Sequence, residues 1–173
     1  MDFILKLVLL GDSGVGKTSL VYRFIENRFS TDFKSTLGVN LLKRTVEIDG
    51  NQVTTQIWDL GGQEAYKKLR KLYLEGASGA LVVYDVTNVN SFQNLNEWIT
   101  SFTETRNDRP IVLIGNKTDL KQLRKVPQDQ ANTYAKEKNI LDFVETSAKT
   151  GENVEVAFKN LIRKAMATDA KKV

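Results

Sequence analysis

The sequence predicts an α/β fold built on a mainly parallel, doubly wound sheet with one antiparallel edge strand. Strand-like and helix-like segments alternate along most of the chain, which is typical of parallel strands joined by crossover helices. Two short apolar runs, 80–84 and 111–115, are bounded by polar residues or glycine, as expected for strands covered on both faces. A hairpin turn at Asp49-Gly50 supplies the antiparallel edge, because both residues tolerate the positive φ of a tight turn.

Hydrophobic periodicity predicts the elements of the first half of the chain. Residues 3–10 form a mostly buried strand, and a helix runs from about Lys17 to Asn27. Segments 39–48 and 52–59 alternate between apolar and polar residues, and they are predicted as the two strands of the hairpin.

Helical spacing predicts three further helices, at 91–106, 128–138 and 152–167. Ser91 is a candidate N-cap for the first of them. One face of that helix carries Phe92, Leu95, Trp98, Ile99 and Phe102. Because there are only two prolines and no linker-like tract, we expect a single domain over residues 1–173.

The composition excludes several kinds of chemistry. The chain has no cysteine and no histidine, so disulfides, thiolate metal sites and histidine general bases are excluded. Residues 159–173 hold five basic side chains and one acidic one, so this segment alone accounts for the net charge of +4. A basic surface for nucleic acid is therefore not expected. The lack of cysteine agrees with a cytoplasmic protein.

The segment Gly11-Asp12-Ser13-Gly14-Val15-Gly16-Lys17-Thr18 fits the phosphate-binding pattern G-x-x-x-x-G-K-[ST]. It follows a predicted strand and opens a predicted helix, as the pattern requires. Backbone N–H groups and the helix N-terminus would surround the phosphates. Lys17 would reach the β- and γ-phosphates, and the Thr18 hydroxyl would bind Mg²⁺. Kinases, ATPases and GTPases share this loop, so by itself it leaves the base and the reaction open.

The segment Asn116-Lys117-Thr118-Asp119 indicates which base is bound. It follows the strand at 111–115, at the edge of the sheet where ligands lie. The Asp119 carboxylate could accept from the two adjacent donors of guanine, N1–H and the N2 amine, and it would be left unpaired against adenine. The sequence therefore predicts GTP and GDP as ligands.

The quoted motifs and their order identify a resemblance. The chain resembles Ras-superfamily small GTPases, and within them the Rab group, over residues 3–168. The motifs that carry it are GDSGVGKTSL, STLGVN, IWDLGGQE, GNKTD and ETSAK. The resemblance implies a P-loop NTPase G domain, with a six-stranded, mainly parallel sheet and helices on both faces.

The resemblance also implies the residues of the base site. Asn116 would brace the phosphate loop, Lys117 would lie over the base, and Phe29 would stack against it, unless Phe29 is simply a core aromatic. The backbone of Ala148 would donate to the guanine carbonyl. The remaining nucleotide-binding residues on this pattern are Ser13, Gly14, Val15, Gly16, Ser19, Ser147 and Lys149.

The switch residues follow from the same resemblance. Thr36 would bind Mg²⁺ and the γ-phosphate, and Asp59 would hold Mg²⁺ through water. The Gly62 N–H would meet the γ-phosphate. Gln63 would orient the attacking water and Lys17 would stabilise the developing charge, so these two are the candidate catalytic residues. No arginine stands out as a built-in finger, so turnover should be slow and should need an activating protein.

The chain departs from the Rab pattern in its second switch. Leu60-Gly61 stands where Rab and Ras proteins usually carry Thr-Ala, as in the Arf group. The following stretch, Tyr66 to Lys71, is unusually basic. It is either a solvated helix face or a docking site for an acidic partner. Reversal of Lys67, Lys68 and Lys71 to Glu would distinguish these two hypotheses.

The ends of the chain bear on its location. Asp2 stands where N-myristoylation needs glycine, and Lys171-Lys172-Val173 carries no cysteine to prenylate. The chain is thus either a truncated core or a protein without this anchor. We expect a cytoplasmic monomer whose basic end allows weak contact with anionic membranes.

Three functions remain open from the sequence. The leading one is a slow GTP hydrolase that acts as a molecular switch, with an activating protein, an exchange factor and effectors as partners. The second is a nucleotide-locked scaffold with little turnover, which Leu60-Gly61 keeps open. The third, a P-loop kinase or ATPase, is disfavoured by Asp119.

Overall fold

The computed structural model of the protein describes residues 2–30, 39–60, 67–140 and 142–171, with the backbone alone at 67–69, 170 and 171. Within these ranges, six strands form one sheet in the order β2-β3-β1-β4-β5-β6. The strands are β1 (Asp2–Leu10), β2 (Val39–Ile48), β3 (Asn51–Leu60), β4 (Gly79–Asp85), β5 (Ile111–Asn116) and β6 (Asp142–Glu145). Only β2 runs antiparallel to its neighbour, so the predicted fold class is confirmed.

The described α-helices connect successive strands, except for α6, which follows β6. They are α1 (Lys17–Glu26), α2 (Lys67–Leu74), α3 (Val89–Gln93), α4 (Leu95–Arg106), α5 (Gln128–Glu137) and α6 (Val154–Lys171). None of these described helices is long and apolar enough to cross a membrane.

Two apolar clusters cover the two faces of the sheet, because successive side chains of a strand point to opposite faces. On one face, Leu7 and Leu9 of β1 pack with side chains of α1 and α6. On the other face, Val8 and Leu10 pack with side chains of α3, α4 and α5. The alternation along β1 thus places α1, which follows the phosphate loop, directly against the core.

The hairpin forms as predicted from its turn residues. Asp49 and Gly50 have φ of 53° and 79°. Strand β2 pairs with β3 along its whole length, with Ile48 opposite Asn51 at the turn and Val39 opposite Leu60 at the far end. The short turn fixes the register of the two strands.

The predicted helix at 91–106 is wrong in one respect, since the structure has two helices there. The N-cap of α3 is Asn88, whose side chain accepts from the Ser91 N–H at 3.2 Å. Ser91 instead lies buried, where its Oγ accepts from the Asp85 N–H at 3.0 Å. Asn94 ends α3 and begins α4. Periodicity alone did not predict α2 or β6.

Candidate functional site

The phosphate loop joins β1 to α1 and is shaped by glycines. A Cβ at Gly11 would lie 2.3 Å from the Val83 carbonyl oxygen, and one at Gly16 would lie 2.4 Å from Asn116 Nδ2. Gly16 has φ of 98° and is the N-cap of α1, whose first backbone bond runs from Leu20 N–H to the Gly16 oxygen. At these two positions the backbone therefore lies too close to its neighbours for any residue other than glycine.

Lys17 is the buried cation of this loop. It is 6% exposed, and its Nζ donates to the carbonyl oxygens of Gly11 at 2.7 Å and Asp12 at 3.0 Å. Burial lowers the pKa of Lys17 to about 8, although the nearby carboxylates of Asp59 and Asp12 raise it. The loop thus holds one positive charge in a largely dry setting, where charge interacts strongly with an anion.

Thr18 and Asp59 meet beside the loop. The Thr18 Oγ1 donates to Asp59 Oδ2 at 2.6 Å, and Asp59 is completely buried near the end of β3. A hydroxyl and a carboxylate side by side are the hard oxygen donors that Mg²⁺ prefers. The donor chemistry of this pair therefore fits the metal that the sequence predicted.

Asn116 connects the phosphate loop with the loop after β6. Its Nδ2 donates to the Val15 carbonyl oxygen at 3.0 Å. Its Oδ1 accepts from Thr146 Oγ1 at 2.9 Å and from the Ala148 N–H at 3.3 Å. Because the Asn116 side chain is buried and uses both its donor and its acceptor, it fixes the distance between these two loops.

Lys117 also contacts the phosphate loop. It adopts φ of 73°, and its Nζ donates to the Gly14 carbonyl oxygen at 2.7 Å. The same ammonium pairs with Asp85 Oδ2 at 3.0 Å, at the end of β4. The Lys117 side chain therefore lies against the phosphate loop, and its predicted place over the base stays a prediction.

Asp119 lies next to the loop after β6. Its Oδ1 accepts from Ser147 Oγ at 2.8 Å, and Ser147 Oγ in turn accepts from the Thr150 N–H at 3.1 Å. Asp119 is partly exposed, whereas Ser147 and Ala148 are buried. The carboxylate is thus oriented by a buried hydroxyl.

The structure places the other predicted residues with less detail. Phe29 is half-buried against the core cluster of α1 and α6, which agrees with the core-aromatic alternative. Ser13 is exposed and Ser19 is half-buried. Thr36, Gly62 and Gln63 lie outside the described residues.

Two residues at this edge of the sheet were missed from the sequence. Arg23 of α1 donates from Nε to the Ala148 carbonyl oxygen at 2.8 Å and from an Nη to the Lys149 oxygen at 2.6 Å. Asp85 pairs with Lys117 and accepts from the Thr87 N–H at 2.8 Å. Asp85 could have been found, because it ends a parallel strand, much as Asp59 lies one residue before the end of β3. Nothing in the sequence near Arg23 signals its contact.

Comparison with known proteins agrees with this geometry. The model of the Ras family matches residues 6–167. The chain is 45% identical to Ras-related protein RABA2a of Arabidopsis thaliana over 172 residues, which is 99% of this chain and 79% of that protein. It is 44% identical to Ras-related protein rab-11.1 of Caenorhabditis elegans over 162 residues, covering 93% of this chain and 76% of that protein.

Proposed function

The chain belongs to the Ras family as a Rab-like small GTPase, and on that premise we propose which residues bind and hydrolyse the nucleotide. As a member of this family it is a GTP hydrolase and a GTP-binding switch in signalling or vesicle traffic. The observation that carries the residue assignment is the pair of contacts made by Asn116. They join the phosphate loop to the loop at 146–148, so that both segments serve one ligand.

The phosphates of the nucleotide lie in the loop from Gly11 to Thr18. Its backbone N–H groups and the N-terminus of α1 provide donors and a favourable dipole. Lys17 exchanges its two carbonyl partners for the β- and γ-phosphate oxygens, which suit an ammonium better because they are charged.

The guanine lies between Lys117 and the loop after β6. Asp119 accepts from N1–H and the N2 amine, and Ser147 holds the carboxylate in place. The Ala148 N–H donates to the guanine carbonyl, and the Lys117 stem covers one face of the base. Lys149 completes the rim of the base site, together with the part of Phe29 that does not pack against the core.

Thr18 and Asp59 would hold Mg²⁺, the latter through water, together with Thr36. When bound, the metal supplies positive charge that stabilises the phosphate oxygens in the transition state. Thr36 and Gly62 distinguish GTP from GDP, because their partner is the γ-phosphate alone.

Gln63 orients a water molecule in line with the γ-phosphorus. The new bond joins the water oxygen to that phosphorus while the bond to the β–γ bridging oxygen breaks, which releases GDP, phosphate and a proton. Lys17 stabilises the charge that develops on the leaving oxygen. Arg23 lies near the base loop and already donates to two carbonyl oxygens there. We therefore expect an activating protein to supply the arginine that stabilises the transition state. Without it we expect turnover on the order of 10⁻⁴ to 10⁻³ per second.

Base selectivity tests the residue assignment. The purified chain, stripped of nucleotide, should bind mant-GDP far more tightly than mant-ADP. Asp119→Asn should lose GDP affinity and gain affinity for xanthosine diphosphate, because an amide N–H matches the C2 carbonyl of xanthine. Asp129→Asn makes the same chemical change at an exposed site on α5 and should retain the preference for guanine. If the two variants prefer the same base, Asp119 does not read the base.

Hydrolysis distinguishes the slow hydrolase from the nucleotide-locked scaffold, the second candidate that Leu60-Gly61 keeps open. Single-turnover assays with GTP should show slow conversion that a cell extract accelerates. Gln63→Leu should lower this rate and leave the affinity for GTP nearly unchanged. GTP that stays intact in both assays would favour the scaffold.

The partners we propose are a GTPase-activating protein, an exchange factor and effectors that bind the GTP-dependent switch segments. A cytoplasmic monomer that contacts membranes peripherally is the setting that fits the family. Co-sedimentation with anionic and neutral vesicles would measure how much the basic segment 159–173 contributes to that contact.

A further inference from the structure

The carboxylate of Asp12 in the phosphate loop is held from outside the loop. Its Oδ1 accepts from Trp98 Nε1 at 2.8 Å, and its Oδ2 accepts from Asn94 Nδ2 at 2.7 Å. Both donors belong to the start of α4. The Asp12 side chain has no part in the proposed nucleotide contacts. Its two hydrogen bonds instead fix the position of the phosphate loop relative to α4.

The indole of Trp98 is itself held by α2. The guanidinium carbon of Arg70 lies 3.8 Å from the centroid of the Trp98 ring. An Nη of Arg70 donates to Ser101 Oγ at 3.1 Å and lies 3.5 Å from Glu97 Oε1. From the sequence, the basic stretch that contains Arg70 is either a solvated helix face or a docking site. Lys71 is indeed exposed, whereas Arg70 is only 6% exposed.

These contacts form one continuous chain from α2 to the phosphate loop. A cation over the indole face draws electron density from the ring and makes Nε1–H a stronger donor, and its fixed position holds the ring in place. The bond to Asp12 depends on the direction of that N–H. Movement of Arg70 would therefore weaken the hydrogen bond from Trp98 to Asp12, although Arg70 and Asp12 are connected only through the indole in this chain of contacts.

We propose that Arg70 is a positioning residue of the nucleotide site, which acts through Trp98 on Asp12 and couples the position of α2 to nucleotide retention. This inference rests on the proposed function, because its main effect is read on bound nucleotide. Helix α2 begins at Lys67, directly after the sequence segment that contains Gly62 and Gln63. Coupling is reciprocal, so a ligand in the loop also changes the surroundings of Trp98.

The test uses a Trp58→Phe parent, in which Trp98 is the only tryptophan. Arg70→Gln is compared with Lys71→Gln, which removes the same charge from the next, exposed position of α2. We expect Arg70→Gln to accelerate mant-GDP release about fivefold and to shift the Trp98 emission recorded with unlabelled GDP. Lys71→Gln should match the parent in both measurements.

A second variant tests whether the effect passes through the indole. Trp98→Phe keeps a ring beneath Arg70 but removes the N–H that binds Asp12, so it should accelerate release by itself. Adding Arg70→Gln to Trp98→Phe should then change the release rate little, because the path is already broken. A further acceleration equal to that of Arg70→Gln alone would show that Arg70 acts elsewhere and would overturn the proposal.

The failures of the two proposals can be told apart. A parent that binds mant-GDP, with Arg70→Gln equal to Lys71→Gln in release and emission, rejects the role of Arg70 and leaves the proposed function intact. A parent that binds no guanine nucleotide rejects the proposed function and the retention role together.

Discussion

The guanidinium of Arg23 donates to the carbonyl oxygen of Ala148 at 2.8 Å, across a sequence separation of 125 residues. A second bond runs to the Lys149 oxygen at 2.6 Å. Helix α1 begins at the phosphate loop, so the same helix that would bind phosphates at its N-terminus holds the proposed base loop near its C-terminus. The two halves of the site are therefore joined twice, by Arg23 and by Asn116.

Arg23→Gln should weaken guanine nucleotide binding. The variant loses two charge-assisted bonds to backbone carbonyls, and the loop at 146–149 becomes less ordered before binding. Because Arg23 is partly exposed, we expect a loss of about 1 kcal/mol, or about fivefold in the Kd for mant-GDP. Arg28→Gln, which changes an exposed arginine just beyond α1, is the control. Equal affinities of the two variants would contradict the role of Arg23.

Alanine at Gly16 and at Gly14 should have different effects. Both positions have positive φ, 98° and 86°, so each substitution strains the backbone by about 1 to 2 kcal/mol. A Cβ at Gly14 would have none of the described residues within 4 Å, whereas one at Gly16 would displace Asn116 Nδ2. Thermal unfolding should show a clearly larger loss for Gly16→Ala, and its mant-GDP affinity should fall further. A similar Tm for both variants would argue against the close approach of Asn116.

Tyr84→Phe should leave the free energy of unfolding unchanged at neutral pH or raise it by about 1 kcal/mol. The Tyr84 hydroxyl is fully buried and has no hydrogen-bond partner among the residues that the structure describes, so its desolvation is uncompensated. Tyr134→Phe is the contrast, because the Tyr134 hydroxyl donates to Asn96 Oδ1 at 2.6 Å. Urea denaturation at pH 7.5 should rank Tyr84→Phe above Tyr134→Phe in stability, and the opposite order would refute this reasoning.

The Tyr84 hydroxyl also predicts a pH dependence of stability. Burial raises the pKa of Tyr84 well above its usual 10, and Glu145 raises it further while Arg124 lowers it. Above pH 10 the unfolded chain releases this proton and the folded chain retains it, so the free energy of unfolding falls as the pH rises. Tyr84→Phe has no hydroxyl to titrate, so it lacks this loss of stability at high pH. Its stability advantage over the wild type should therefore grow between pH 9 and pH 10.5 in urea denaturation, and a constant difference would contradict the shift.

Local signals predicted the elements that depend on local chemistry. Asp49-Gly50 formed its turn because both residues accept positive φ, whatever surrounds them. The helix at 91–106 was predicted as one element because its apolar spacing continues through Asn94. The structure divides it where Asn88 caps the first turn and Ser91 bonds to β4 instead. Strand β6 has four half-buried residues, too few for a clear period.

The contacts that join the site could not be predicted from local patterns. The motifs identified Asn116 and Asp119 because the first ends strand β5 and the second follows it at a fixed spacing. Arg23 and Arg70 have ordinary helical surroundings in the sequence, and their partners lie far along the chain. Their roles depend on which helix packs beside which loop, and that arrangement is set by the whole core.

Phe158→Leu should destabilise the fold near the phosphate-loop helix. Phe158 of α6 stacks on Phe24 of α1 with ring centroids 4.1 Å apart and planes within 2°, and both rings are buried. Leucine loses the stacking and leaves part of the ring volume empty, so we expect a loss of about 2 kcal/mol in urea denaturation. Val156→Ala, at a 48% exposed position of the same helix, should change stability little. Because α1 also begins at the phosphate loop, Phe158→Leu should accelerate mant-GDP release without altering the preference for guanine over adenine. Equal unfolding midpoints for the two variants would show that this stack does not hold α1 in place.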